Sequence, residues 1–183
     1  MKNMSKTNQQ SFMKMQLQYF ADPTASGKQF LLNFKNKMEI DTSSNTSLDD
    51  ISKATWATLD AGISTITPAA ADTTDSTAYY DGEGFTDPLV TGKAITFAMA
   101  GHRVNGDAAQ DYVAKHFLAI GMELRTLVRW TDPTGAQVIA VVTMTSIVPF
   151  GGAANAKQTF SFTVSVAGKP KSLTAEEAAA AGE

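Results

Sequence analysis

The run Gln158-Thr159-Phe160-Ser161-Phe162-Thr163-Val164-Ser165-Val166 sets large apolar side chains strictly against serine and threonine. A period of two is the signature of a β-strand with one buried and one wet face. Upstream, past a Gly151-Gly152 loop, two longer alternating runs, Met122 to Trp130 and Ala136 to Val148, flank Thr131-Asp132-Pro133-Thr134-Gly135, with Pro early and Gly late as a hairpin turn requires. Further back, Val90 to Met99 reads as another strand, with Ile95, Phe97 and Met99 on one face. From Leu89 to Val166 the order is therefore strand, helix, hairpin, strand.

The helix in that order begins at Asn105-Gly106-Asp107. Asp107 is a good N-cap, Gln110 stands where it would complete a capping box, and Asp111 suits the positive end of the helix dipole. Ala109, Tyr112, Val113, His116, Phe117 and Ile120 recur at helical spacing, and Gly121 fits the position after the last turn. The pattern predicts one amphipathic helix over about 107–120, flanking a β-sandwich or barrel of antiparallel strands.

Ahead of this block, Gln29 to Ile40 alternates Phe30, Leu32, Phe34, Met38 and Ile40 with polar residues and predicts a strand. Thr55 to Thr67 carries Trp56, Leu59, Ile63 and Ile66 and predicts one or two less regular strands, with a bulge at Gly62; a helix over Leu48 to Leu59 is the alternative. Pro68 to Pro88 reads as a long loop in which Tyr79, Tyr80 and Phe85 stand among Asp72, Asp75, Asp81, Glu83 and Asp87. Loops of that length are usually functional or disordered, and aromatic residues in a polar loop suit a binding surface, unless they pin the loop to its own core. The expected organisation is an N-terminal arm over 1–26 with a small apolar cluster at Leu17, Tyr19 and Phe20, a β domain over 27–167, and a flexible tail over 168–183.

Composition narrows the function. The 183 residues hold 43% apolar side chains, a net charge of −3, and 15 basic residues scattered without a Lys/Arg block. Tight nucleic-acid binding needs clustered cations that release counterions, so that class is disfavoured. With no cysteine there is neither a disulfide scaffold nor a thiolate metal site, which fits folding in a reducing compartment. No apolar run approaches the ~20 residues of a membrane helix, and Lys14, Gln16 and Gln18 interrupt the segment from Met13 to Phe20 that would have to serve as a signal core.

Catalytic chemistry finds little footing. His102 and His116 are the only histidines; His116 lies on the apolar helix face, and His102 has no carboxylate at a metal-ligand spacing. Gly82-Glu83-Gly84 lacks the third glycine of a dinucleotide loop, and Gly92-Lys93-Ala94 lacks the hydroxyl that a phosphate loop uses for magnesium. No catalytic residue, metal or cofactor is assigned. Several long strands in a small domain instead leave edges whose free backbone groups invite another chain. Head-to-tail edge contacts close rings, and a second contact along the axis stacks them into a tube.

The stretch Gly82-Glu83-Gly84-Phe85, Ile95-Thr96-Phe97, Gly101-His102-Arg103-Val104-Asn105-Gly106-Asp107, Asp111-Tyr112-Val113, the hairpin through Trp130 to Gly135 and the closing Phe160 to Val164 resembles the major tail tube proteins of long non-contractile-tailed bacteriophages. The similarity spans about residues 27–170 through diffuse patterns with no invariant signature. Met13 to Ala21 is also similar to the openings of structural proteins of phages infecting Gram-positive bacteria, which makes Met13 a candidate start.

The resemblance implies hexameric rings stacked into a virion tail tube made in the host cytoplasm. It also implies an acidic lumen through which double-stranded DNA passes at ejection, and partners that include a tape measure protein, a tail terminator and distal tail proteins. The family's use of a long loop to bridge rings points to Pro68 to Pro88. Phe20, Tyr79, Tyr80, Phe85, Tyr112 and His116 are the expected subunit contacts. The competing expectations are a monomeric β-sandwich that binds carbohydrate or decorates a capsid, with Tyr79, Tyr80 and Trp130 as its platform, and an inner tube of the type VI secretion or contractile-tail kind.

Overall fold

A computed structural model describes residues 30–180. The architecture below belongs to the body that begins at Asn33. Its strands are β1 (Lys37–Asp41), β2 (Trp56–Thr58), β3 (Ile63–Asp75), β4 (Leu89–His102), β5 (Arg125–Thr131), β6 (Gln137–Val148), β7 (Thr159–Val166) and β8 (Lys171–Leu173). Helix α1 (Ala108–Lys115) separates β4 from β5, and α2 (Ala175–Ala180) follows β8. The protein is mainly β, as the alternating runs predict. All eight strands form one antiparallel sheet in the order β2-β1-β5-β6-β7-β4-β3, with β8 added to the start of β6.

The sheet is strongly curled. Phe97 on β4 and Trp130 on β5 are separated by β6 and β7, about 14 Å in a flat sheet. Their ring centroids nevertheless stand 6.4 Å apart. Met38, Ile40, Met99, Val128, Val142, Met144, Phe160, Phe162 and Val164 are buried in one cluster, and α1 joins it through Ala109, Tyr112 and Val113. Full burial of side chains such as Phe160 and Phe162 contributes about 1.5–3 kcal/mol each.

Several sequence expectations are corrected. The supposed loop Pro68 to Pro88 is largely a β-hairpin: β3 runs through Pro68 to Asp75 in register with β4, from Ile66↔Met99 to Asp75↔Leu89. Strand β3 is exposed on both faces from Thr67 outward, so no apolar alternation marks it, and Pro68 is tolerated because β3 is an edge strand. Helix α1 ends at Lys115 rather than near 120, giving way to a 3-10 turn at His116–Leu118. The chain turns away there, so Phe117 and Ile120 are exposed rather than buried. Gly121 (φ 65°) opens a second 3-10 turn, Gly121–Leu124, instead of closing the helix, and β5 starts at Arg125 rather than Met122.

The strand expected from Gln29 begins only at Lys37. Asn36 donates from its main chain and its side chain to the Asn33 carbonyl, which favours a 3-10 turn at Asn33–Lys35 and leaves Phe34 exposed while Met38 and Ile40 are buried. Between β1 and β2 only Ile51–Lys53 is helical, a single 3-10 turn, so the longer helix alternative fails. Asp41 organises this connection: its buried carboxylate accepts from Ser43 N, Ser43 Oγ, Asn45 N and Thr55 N at 2.6–2.9 Å. The C-terminal segment is not wholly a tail either, since Lys171 to Leu173 pair with Ile139 to Gln137.

Candidate assembly surface

The hairpin is the first element of the site. Strand β4 pairs with β7 only from Thr96 to His102, so Ala70–Asp75 and Leu89–Ile95 have only each other among the described residues. At 3.4 Å per residue this free ribbon is about 20 Å long. Its end is shaped by local bonds: Asp75 Oδ1 accepts from Thr77 N at 3.1 Å and Thr77 Oγ1 at 2.7 Å, and Ala78 bridges Thr86. A 3-10 turn at Tyr80–Gly82, followed by left-handed Glu83 (φ 53°) and Gly84 (φ 87°), reverses the chain.

Tyr79, Tyr80 and Phe85 sit on this tip and are exposed, Tyr80 fully so at 105%. They do not pin the segment to its own core. Leu89 and Val90 are also exposed at its base. Trp130 stands on a different element, half-buried against Phe97, with Nε1 donating to Asn36 Oδ1 at 3.0 Å. The tyrosines and Trp130 therefore make no common platform.

The second element is α1 with the segment that follows. Asp107 caps it as the sequence predicts, accepting from Gln110 N at 2.9 Å. Gln110 departs from the capping-box role. It is fully buried; its Oε1 accepts from Val104 N at 2.8 Å, and its Nε2 donates to Ala61 O at 2.5 Å and His102 O at 3.2 Å. One amide thus ties the helix to the end of β4 and to the turn before β3, and Arg103 adds an ion pair to Asp111. The same junction needs glycine, since a Cβ on Gly101 would run into the Gly62 carbonyl oxygen.

Tyr112 and His116 are brought together, with rings 4.5 Å apart. Tyr112 is a core residue whose hydroxyl bonds Ser44 Oγ at 2.7 Å, and His116 Nδ1 lies 2.8 Å from the Tyr112 carbonyl. Beyond them Phe117, Leu118, Ile120 and Met122 are all exposed, a patch that helical periodicity missed by assigning Phe117 and Ile120 inward. Leu118 and Met122 fall off the predicted buried stripe, and four large apolar residues within six positions were the available signal. Phe20, the remaining expected contact, lies outside the described residues.

On the concave side of the sheet an apolar cavity of about 700 Å³ is lined by Met38, Ile66, Phe97, Trp130, Val142 and Val166 among others. On β1, burial pushes the Glu39 carboxyl up, but hydrogen bonds from Arg129 (2.7 Å) and Lys37 (2.8 Å) outweigh it and hold the group below its usual range. Arg129 also stacks over Trp56 at 4.5 Å. Among the described residues no three His, Asp or Glu side chains converge as metal ligands would.

No protein-family model matches the chain, and no curated protein matches it in sequence. Solved structures do match. A chain in the tail of an empty gene transfer agent particle, refined helically with C6 symmetry, superposes with a TM-score of 0.64 at 13% identity, over 79% of this chain and 100% of the other. The chain has the fold of that tail protein. A chain of the native gene transfer agent virion gives a TM-score of 0.62 at 13% identity with the same coverage. At this identity the likeness is one of fold, and the tail fold accounts for most of the present chain. The resemblance read from Gly82 to Val164 and the three-dimensional likeness agree on that tail fold.

Proposed function

We propose that the chain is a structural subunit of a phage-type virion tail, whose copies close into hexameric rings that stack into a tube. The observation that carries this reading is the fold it shares with a chain from a tail of six-fold, helical symmetry. A two-stranded ribbon that leaves the sheet with both faces wet supports it, because an isolated hairpin is marginal in water and gains stability from a partner. The edge strands β2 and β3 offer free backbone groups for closing the ring.

In this reading the lumen conducts double-stranded DNA at ejection. The net charge of −3 and the absence of a basic block suit a wall along which DNA slides without being held. The tape measure protein, tail terminator and distal tail proteins are the partners such a tube requires. The arm over 1–26 and the β domain over 27–167 keep their places in this reading, with β8 added to the sheet from the segment after 167. Negative-stain electron microscopy of the purified chain across a concentration series tests the proposal. Six-fold rings or tubes are expected; particles that stay monomeric at high concentration, with and without tail partners, would overturn it.

A further inference from the structure

We infer that the patch Phe117, Leu118, Ile120 and Met122 is the receiving surface for the hairpin tip of a second copy of this chain, an inference that rests on the tube reading above and names the contact between successive copies. Register places the two surfaces apart. Arg125 pairs with Thr143, Thr143 with Ser165, and Ser165 with Thr96, so these four lie on one line across the sheet. The patch precedes Arg125 and lies on the His102 side of that line. The free ribbon leaves on the opposite side and carries its tip about 20 Å beyond it. Tip and patch on one molecule cannot meet. A contact between the tip of one copy and the patch of the next is head-to-tail, and with the two surfaces at opposite ends of the sheet it repeats along an axis, as stacking requires.

Charge and area favour the match. The hairpin carries Asp72, Asp75, Asp81, Glu83 and Asp87 against the single cation Lys93. The patch is bordered by Lys115, His116 and Arg125 against Glu123, and neither Lys115 nor Arg125 is in an ion pair among the described residues. Phe117, Leu118, Ile120 and Met122, at 51–85% exposure, leave on the order of 400–500 Å² of apolar surface, a size often functional on a monomer. Tyr79, Tyr80, Phe85, Leu89 and Val90 expose a larger area, part of it the tyrosine hydroxyls. Buried fully against each other, the two surfaces reach about the 1,000 Å² that a biological interface should clear.

The absence of native cysteine makes the test clean. Full-length Tyr80→Cys and Leu118→Cys variants, both at exposed positions, are mixed, allowed to assemble and mildly oxidised. Assembly is followed in parallel by electron microscopy, and Tyr80→Cys with Thr134→Cys serves as the control pair. A disulfide-linked dimer in the first mixture and its loss in the control support the contact. Tubes without that dimer, or equal dimer in both mixtures, overturn the contact and leave the tube reading standing. The dimer without rings or tubes supports the contact and removes the tube reading, whereas neither dimer nor assembly overturns both.

Discussion

Replacing Gln110 by methionine keeps the side-chain length and helix preference but removes every hydrogen bond that the buried amide makes. Val104 N loses its 2.8 Å acceptor and Ala61 O its 2.5 Å donor, while the longer contacts to His102 O and Arg103 Nη1 also go. Leaving a buried main-chain group unpartnered costs about 1–3 kcal/mol. Two such groups would cost about 2–6 kcal/mol; Val104 is 39% exposed, so water recovers part of this, and the expected loss is about 2–4 kcal/mol. Against a typical total of about 5–15 kcal/mol this is severe, and for a chain of this size it lowers Tm by on the order of 10 °C.

Urea unfolding followed by the fluorescence of Trp56 and Trp130, below the concentration at which the chain assembles, measures the loss directly. The midpoint is expected to fall with the slope unchanged. Asp107→Ala, which removes only the cap bond, sets the scale at about 1 kcal/mol. A loss below about 1 kcal/mol for Gln110→Met would refute the assignment of this amide as the tie between α1, β4 and the turn before β3.

Three further outcomes follow. Glu39→Gln removes the charge-assisted bonds to Arg129 and Lys37 and costs about 1.5–3 kcal/mol at neutral pH. Because the folded pKa lies below the ordinary 4.5, this stability is present above that value and lost as pH falls through the folded pKa. Denaturation curves of native and variant protein should therefore converge below pH 4.5, and a gap that persists would contradict the assignment. Gly101→Ala places a methyl against the Gly62 carbonyl and should destabilise by about 1–3 kcal/mol or more, read by thermal melting. Excising Asp72 to Lys93 and joining Ala71 to Ala94, which face each other in register, through an Asn-Gly turn should leave Tm nearly unchanged and abolish tubes seen by microscopy.

The parts of the fold legible in the sequence are those with one wet and one buried face. Phe160, Phe162 and Val164 are buried and their neighbours are not, so alternation marked β7 to within a residue. Asp107 announced the helix start because capping is local chemistry. The ribbon from Pro68 to Asp75 was illegible because neither face is covered, which removes the pattern that periodicity detects. The end of α1 was illegible because apolar residues continue past it at nearly helical spacing, though they serve the outer surface. Gln110 matched a capping box yet serves the junction of β3 and β4, a tertiary role that spacing does not encode. Of the candidate contacts, Tyr79, Tyr80 and Phe85 are placed on an exposed tip, whereas the apolar patch from Phe117 to Met122 emerged only from burial.

The central claim is that this chain is a tail subunit built to stack, and cryo-electron microscopy of the assembled full-length protein with helical reconstruction tests it most directly. The account predicts six-fold rings repeating along an axis, with each ribbon from Ala70 to Ile95 crossing into the neighbouring ring. A closed dimer, or an assembly in which the ribbon remains solvent-exposed on every copy, would contradict it.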